Sequence, residues 1–203
     1  MPDFKILSGE EAAAALHSEG DKPLLELTHN LVGGFADDYR KLMGYAPEAE
    51  IDWEPCVNRY LSSVDAMAAA GNMYIAVQND KPVGMQGYKF VNTDPITGRQ
   101  VYELSHGSIL EEAEGQGYLK ALVSRTLEDI RKKHGGADVI FGSANHAFAA
   151  KLAAGFGFRP LSMERLYQIE HGKTDISEFA EEIEKKRGGS SFYLLSGNTE
   201  AAD

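Results

Sequence analysis

A short turn at residues 114–118 combines residue types whose spacing suits the binding of an anion. The chain there reads EGQGY, with Gly115 and Gly117 one residue apart, directly before an amphipathic segment. Glycine adopts positive φ and lets a ligand approach the backbone, while the first N–H groups of a helix carry partial positive charge. The turn therefore predicts a phosphate or pyrophosphate site, although a plain connection between a strand and a helix would read the same way.

Two common nucleotide-binding motifs do not account for this turn. The sequence contains no G-x-x-x-x-G-K-[ST] pattern, which excludes a P-loop. Only two of the three glycines of a dinucleotide-binding fingerprint are present.

Composition narrows the class of protein. The formal net charge of −11 over 203 residues makes a nucleic acid an unfavourable partner, because phosphates are repelled. The same charge would attract a cationic amine, but solubility is the simpler explanation.

One cysteine, Cys56, allows neither an internal disulfide nor a thiolate zinc cluster, and the six histidines are too scattered to predict a metal site. With no visible signal peptide and no apolar run near the roughly 20 residues that span a bilayer, we expect a cytoplasmic protein that is not inserted in a membrane.

The first third of the chain reads as mainly helical. After a short strand at FKIL come GEEAAAALHSEG, PLLELTHNLVGGFADDYRKLMGY and EPCVNRYLSSVDAMAAAG, the second with a break at Gly33 and Gly34. From Asn72 the period changes, and MYIAVQ, KPVGMQGYKFV and VYELSHGSIL read as three successive strands. Gly107 within the third strand indicates a bulge or a close backbone approach.

The rest of the chain alternates helices and strands. A helix is predicted from about Gly117 to Lys133, followed by a strand at DVIFGSA, a helix at NHAFAAKLAAGF, a strand at FRPLSMERLYQIE, a helix at DISEFAEEIEKKRGG and a closing strand at SSFYLLS. This order predicts an α/β fold with a mixed, mostly antiparallel central sheet flanked by helices. We expect one domain over 1–203, with an N-terminal helical region at 1–71, a core at 72–161 and a strand–helix–strand region at 162–203.

The segment SILEEAEGQGYLKALV resembles the acyl-CoA-binding motif of the GNAT superfamily of acyl-CoA-dependent N-acyltransferases. In that motif a strand is followed by R/Q-x-x-G-x-G/A and a helix, which places Glu114, Gly117 and Leu119 at the three key positions. Downstream, ANHAFAAKLAAGFGFRP is similar to the second helix on the CoA side, which ends in GF before a strand. The resemblance covers the second half to two-thirds of the chain and implies a GNAT-like fold.

The resemblance also implies where acetyl-CoA, as co-substrate, would bind. The pyrophosphate would lie on the backbone amides of Gly115, Gln116, Gly117 and Tyr118. Backbone groups at about Ile109 and Leu110 would hold the pantetheine arm and the acyl group, and an irregularity at Gly107 would admit the thioester. Asn145 or His146 falls where the family often has an asparagine at the start of the second helix, and Asn145 is the expected contact.

Two residues on the third strand are candidates for the general base. Glu103 and His106 lie where the family often keeps this group, and an imidazole with a pKa near 6.5 can take the proton of an ammonium directly or through water. Because they are three residues apart, regular strand geometry would place them on opposite faces. Each can equally be an ordinary polar residue of a strand.

Three positions depart from the family pattern, and the first is Leu119, at the final Gly/Ala position of the motif. Ala153 stands where the family commonly has a tyrosine that protonates the departing thiolate, and Glu114 places a negative charge beside the expected pyrophosphate unless it pairs with a neighbour such as Lys120. The leading hypothesis is an N-acetyltransferase that moves an acetyl group directly to a primary amine of a small or amino-acid-like acceptor. The alternatives are a non-catalytic acyl-CoA-binding module of the same fold, or a regulatory protein whose N-terminal helices form a homodimer.

Overall fold

The computed structural model describes residues 4–34, 40, 46, 50, 52–143, 145–187 and 189–197. The strands are β1 Phe4–Ser8, β2 Met73–Gln78, β3 Lys81–Thr93, β4 Gln100–Ile109, β5 Asp138–Ser143, β6 Arg159–Leu161 and β7 Ser191–Leu195. The helices are α1 Gly9–Leu16, α2 Lys22–Gly33, α3 Glu54–Ala69, α4 Tyr118–His134, α5 His146–Phe156, α6 Met163–His171 and α7 Ala180–Lys186. Short 3₁₀ turns occupy Glu111–Ala113 and Ser177–Phe179.

The strands form one seven-stranded sheet in the order β1-β2-β3-β4-β5-β7-β6. The pairs β1–β2, β2–β3, β5–β7 and β6–β7 are antiparallel, whereas β4 and β5 are parallel. A parallel pair needs a crossover connection, which α4 provides between β4 and β5. The predicted fold class, a mixed and mostly antiparallel sheet flanked by helices, is confirmed.

The chain divides into two compact units. One consists of the chain up to Tyr88 together with Ser105–Leu127, and the other consists of Lys89–Leu104 together with the chain from Glu128 onward. Strands β3 and β4 and helix α4 each contribute residues to both units. The expectation of a single domain stays a prediction.

The first unit packs α1, α2 and α3 against β2 and β3. Its core is a cluster of buried apolar side chains, comprising Ala12, Leu16, Leu24, Leu27, Val64, Met67, Ala68, Met73, Ile75, Val77 and Met85. The helical members recur every three to four residues along each helix, which is the spacing of one helical face, and the members from β2 alternate. Helix α2 ends at the predicted glycine pair, whereas the continuation of that predicted helical stretch over 35–39 and 41–45 lies outside the described residues.

In the second unit, residues 163–171 form a helix where the sequence predicted a strand. Strand β6 stops at Leu161, and the Ser162 hydroxyl then accepts a hydrogen bond from the Arg165 N–H at 3.2 Å, which caps α6. Leu166 and Ile169 are buried against Val101 and Ile140, at a spacing of three that suits one helical face. The tertiary contact of this face outweighed the apparent alternation of the local sequence.

The loop between β3 and β4 is organised by a buried carboxylate. Asp94 is 1% exposed, and its oxygens accept hydrogen bonds from the Ile96 and Thr97 N–H groups, the Thr97 hydroxyl and the Arg165 guanidinium. Burial alone would raise the pKa of Asp94, but these hydrogen bonds outweigh it and lower the pKa to about 2. The charged form of Asp94 therefore stabilises this hairpin and its contact with α6.

No helix in the described ranges is long and apolar enough to cross a bilayer.

Candidate active site

The turn before α4 has open space beside both of its glycines and leads into a helix whose first N–H groups have no acceptor within the helix. Gly115 and Gly117 have φ of 71° and 88°, in the left-handed region, and no atom lies within 4 Å of a Cβ built on either one. The first hydrogen bond of the helix runs from the Ala121 N–H to the Gly117 carbonyl at 3.1 Å. The N–H groups of the three residues between them therefore have no acceptor inside the helix, and Gly117 has no side chain with which to cap them. Together with the helix dipole, these donors make the turn suitable for an anion.

The side chains of Gln116 and Tyr118 brace this turn. Tyr118 is 1% exposed, with its ring edge-on to Phe4 at a centroid distance of 5.0 Å. Its hydroxyl donates to Gln116 Oε1 at 3.1 Å, and Gln78 Nε2 donates to the same oxygen at 3.4 Å. The side chains of these two predicted binding residues are therefore engaged within the protein, and their role in binding a phosphate stays a prediction.

Glu114 keeps a negative charge beside the turn. It is exposed and extended, with φ −63° and ψ 158°, and its N–H closes the preceding 3₁₀ turn onto the Glu111 carbonyl at 3.2 Å. No ion pair joins Glu114 to Lys120, both of which lie in the described part of the chain. Lys120 therefore does not provide the neutralisation considered from the sequence.

Strand β4 bulges at His106. This residue has a φ of 59°, which is rare for a non-glycine residue inside a strand. The bulge directs the Ser105 carbonyl to Gln86 Nε2, which donates to it at 2.9 Å. Gln86 is 4% exposed and needs the space at Gly107, where a Cβ would lie 2.6 Å from its Oε1. The irregularity predicted at Gly107 is thus real, but the left-handed residue is His106 and the glycine supplies room.

The His106 ring is enclosed within the first unit. The side chain is 9% exposed, its Nδ1 lies 2.5 Å from Ser105 Oγ, and the Tyr60 ring of α3 meets it edge-on at 5.1 Å between centroids. A residue held in a sparsely populated backbone region is a recognised feature of functional sites, because the surrounding structure must hold it there. The bulge also breaks the regular alternation from which opposite faces were predicted for Glu103 and His106.

The end of β4 is tied to both β3 and α2. The Leu110 N–H donates to the Val83 carbonyl at 2.9 Å, so this amide is already used by β3. Across one peptide bond the N–H and C=O point in opposite directions, so the Ile109 carbonyl faces away from β3. Asn30 Nδ2, in the last turn of α2, donates to that carbonyl at 2.8 Å. Of the two predicted backbone positions, Ile109 is the one that faces the far edge of β4.

The ladder between β4 and β5 is short. Val101–Leu104 pair with Asp138–Phe141, whereas β4 continues to Ile109. Beyond Leu104, the backbone of β4 on that edge is therefore outside this parallel ladder. This is the stretch that contains the bulge and the predicted contacts with the acyl group.

The remaining predicted residues lie in the second unit. The Glu103 carboxylate forms an ion pair with Lys89 Nζ at 3.1 Å. Burial, and next the nearby charge of Glu103, raise the pKa of Glu170 on α6. Asn145 caps α5, with its Oδ1 accepting from the Phe148 N–H at 2.9 Å. Ala153 on α5 is 3% exposed, so no phenol stands at this position.

The structure gives little support to a cysteine nucleophile or to a metal site among the described residues. Burial raises the pKa of the Cys56 thiol above its usual range, with Arg59 partly opposing the shift, so its nucleophilic thiolate is disfavoured. Among the described residues, no group of three or more histidine, cysteine, aspartate or glutamate side chains could hold a metal ion.

Comparison with solved structures identifies the fold. A proposed acetyltransferase from Acinetobacter baylyi ADP1 superposes with a TM-score of 0.56 at 15% identity, over 97% of this chain and 93% of that one. A proposed acetyltransferase from Salmonella typhimurium, solved with its cofactor acetyl-CoA, gives 0.54 at 14% identity over 98% and 96%. A GCN5-related N-acetyltransferase (GNAT) from Kribbella flavida gives 0.51 at 11% identity.

The chain has the GNAT fold. It covers 33% of the length of the Kribbella flavida protein, with 78% of its own residues aligned. No protein-family model matches the sequence, and no curated protein matches it. The turn and the second helix predicted a GNAT-like fold, and the structural comparison confirms it. The sequence identities of 11–15% are too low for the sequence comparisons to detect this likeness.

Sequence reasoning missed two residues that shape the site. Gln86 and Asn30 each hold part of β4 through a side-chain amide, across 19 and 79 residues of sequence. Local spacing carries no signal for such contacts. The only hint for Gln86 was Gly107, whose lack of a side chain makes room for it.

Proposed function

We propose that the protein is an N-acetyltransferase that transfers an acetyl group from acetyl-CoA directly to a primary amine of a small or amino-acid-like acceptor. The observation that carries this proposal is the geometry of β4 and α4. A strand that leaves its parallel ladder at Leu104 and bulges at His106 leads within nine residues to a glycine turn with open backbone donors. The GNAT fold is consistent with it.

The turn suits the pyrophosphate of acetyl-CoA. The open space at Gly115 and Gly117 and the donors at the start of α4 match a diphosphate, whereas the carboxylate of Glu114 opposes it. The Ile109 peptide, facing away from β3, would hold the pantetheine arm once the acyl group lies beside the bulge.

Direct transfer forms an N–C bond to the thioester carbon and breaks the C–S bond. The attacking amine must be neutral, and its nitrogen loses a proton as the thiolate departs and gains one. We assign the base to His106, acting directly or through a water. Its Nδ1 lies against Ser105 Oγ, so Nε2 would accept the proton. Glu103 is the second candidate, but its carboxylate is engaged by Lys89.

A second function is favoured by one specific pair of observations. Ala153 is buried at the position where the family commonly has a tyrosine that protonates the departing thiolate. Glu114 lies beside the turn and forms no ion pair with Lys120. These features suit a protein that binds an acyl-CoA without transferring the acyl group.

Calorimetry and a thiol-release assay separate these functions. Titration with acetyl-CoA up to millimolar concentration should show binding, and free CoA should appear with at least one amine of a panel containing putrescine, lysine, glutamate and benzylamine. Binding without thiol release across the panel would identify the non-catalytic module. Absence of acetyl-CoA binding would exclude both functions.

A further inference from the structure

A groove of about 600 Å³ lies between α2 and the segment that follows β4. One wall includes Asn30 and Glu26 of α2, and the other includes Leu110, Glu111 and Glu112. Leu110 directly follows Ile109, whose backbone would hold the pantetheine arm in the proposed complex. The groove therefore lies at the end of β4 that leads to the bulge, beside which the acyl group would lie.

The orientation of the Asn30 amide is determined by its partners. Its Nδ2 donates to Ser108 Oγ and to the Ile109 carbonyl oxygen, both at 2.8 Å. A carbonyl oxygen can only accept, so the nitrogen and not the oxygen of the amide must face β4. Both amide protons are then used, and what Asn30 can offer the groove is Oδ1, a hydrogen-bond acceptor held in one orientation.

Carboxylates outnumber the basic side chains that line the groove. Glu26, Glu111 and Glu112 contribute carboxylates. Lys22 and His29 also line the groove, and the Lys22 ammonium lies 3.9 Å from Glu26 Oε1. A wall of acceptors is complementary to a ligand that carries N–H donors and a positive charge, and it is unfavourable to a ligand that carries a carboxylate.

We propose that this groove binds a small cationic amine as the acceptor and that Asn30 determines this specificity by accepting a hydrogen bond from the amine N–H at Oδ1. Asn30 then has two roles: its nitrogen holds α2 against the end of β4 at Ile109, and its oxygen orients the nucleophile. The inference rests on the proposed acetyl transfer, and it adds the site and the chemical class of the acceptor.

Two substitutions of Asn30 separate the two roles. Asn30→Ala removes both the donor to Ile109 and the acceptor in the groove. Asn30→Asp also loses the donor but keeps an acceptor oxygen in the groove. Asn58→Ala, an exposed asparagine on α3, is the matched control. Putrescine and glutamate serve as cationic and anionic probe acceptors, and acetyl-CoA affinity is measured separately by calorimetry.

We expect the wild-type protein to have a higher kcat/KM for putrescine than for glutamate. Asn30→Ala should raise the KM for putrescine roughly 10- to 100-fold, the effect of losing a hydrogen bond to a charged group. Asn30→Asp should raise it less than Asn30→Ala, and Asn58→Ala should change it less than twofold. In the wild-type protein, putrescine added with CoA should shift the NMR signal of the Asn30 side-chain amide and leave that of Asn58 in place, a readout that needs no variant to fold.

The outcomes distinguish this inference from the proposed function. If acetyl-CoA binds and amines are acetylated, but Asn30→Asp loses as much as Asn30→Ala, the role of Asn30 is only to hold α2, and the inference is wrong. A preference for glutamate, or an Asn30 signal that ignores putrescine, also overturns it while acetyl transfer stands. Absence of acetyl-CoA binding in the wild-type protein overturns the proposed function and the inference with it.

Discussion

Replacing Gly117 by glutamate tests whether the turn before α4 binds the pyrophosphate. No atom lies within 4 Å of a Cβ at this position, so alanine has room there, and so does the Cβ of a glutamate. Both substitutions share the cost of a left-handed backbone at φ 88°, and glutamate alone adds a charge.

The left-handed backbone affects the stability of both variants, whereas the added charge affects the binding of acetyl-CoA. A left-handed conformation costs an L-residue about 1–2 kcal/mol, and this lowers the stability of both variants alike. A carboxylate at about 5 Å from a phosphate charge is repelled by about 3 kcal/mol at an effective dielectric constant near 20. Since the turn is exposed and screened, we expect about 1–3 kcal/mol of this to appear as weaker binding, roughly a 5- to 150-fold loss.

Calorimetric titration with acetyl-CoA measures the difference between Gly117→Ala and Gly117→Glu. Gly98 provides a matched control, since it also has positive φ, at 70°, and open space around a built Cβ, but lies in the loop between β3 and β4. Gly98→Glu should therefore lose similar stability in urea unfolding and keep its acetyl-CoA affinity. The gap between the two Gly117 variants should narrow as salt concentration rises.

Equal affinity of Gly117→Ala and Gly117→Glu for acetyl-CoA, at low salt, would refute the reasoning. It would mean that no phosphate lies near this turn, whatever the stability of the variants.

Three further predictions concern charge and the proposed base. Glu114→Gln should tighten acetyl-CoA binding roughly two- to fivefold at low salt, with no effect at high salt, because it removes a repulsive exposed charge; unchanged calorimetric affinity at low salt would argue that the Glu114 carboxylate points away from the phosphates. His106→Gln should lower kcat about 10²- to 10⁴-fold while the dissociation constant of acetyl-CoA changes less than about threefold; if Glu103→Gln lowers kcat more than His106→Gln does, the base is Glu103. Asp94→Asn should lower the free energy of unfolding by about 2 kcal/mol at pH 7, since the pKa of Asp94 is about 2 in the folded protein against a usual value of 3.8. This stabilisation is present above pH 3.8 and is lost as pH falls through 2. In urea unfolding, the difference in free energy of unfolding between Asp94→Asn and the wild-type protein should therefore shrink over this range. A difference that stays constant would contradict the low pKa of Asp94.

Local patterns predicted most of the elements. The apolar spacing in α3 and α4, the glycines that end α2 and open the turn at 115–117, and the β-rich segments from Met73 to Ile109 each depend on neighbours in sequence. Their periods are visible without any knowledge of tertiary contacts. The predicted strand at 158–170 was wrong beyond Leu161 and shows the limit of this reasoning. Burial of one face of α6 outweighed the local alternation, and the Ser162 cap was not recognised.

The candidate site was only partly predictable. The turn, the irregular strand and the capping asparagine Asn145 follow from residue types at short range. That His106, and not Gly107, adopts positive φ depends on the space that Gln86 occupies and on the carbonyl that it binds. No local pattern in the sequence predicts that Gln86 binds the Ser105 carbonyl, 19 residues away.

The sequence by itself determined the class of fold, the glycine turn at the start of α4 and the acidic character of the chain, because backbone preference, helical period and charge are local or summed properties. Tertiary structure alone decided that β7 lies between β5 and β6, that β4 leaves its ladder after Leu104, and that Asn30 meets Ile109. Those features arise from contacts between residues far apart in the chain. Such contacts form only when the chain folds and its buried polar groups must find hydrogen-bond partners.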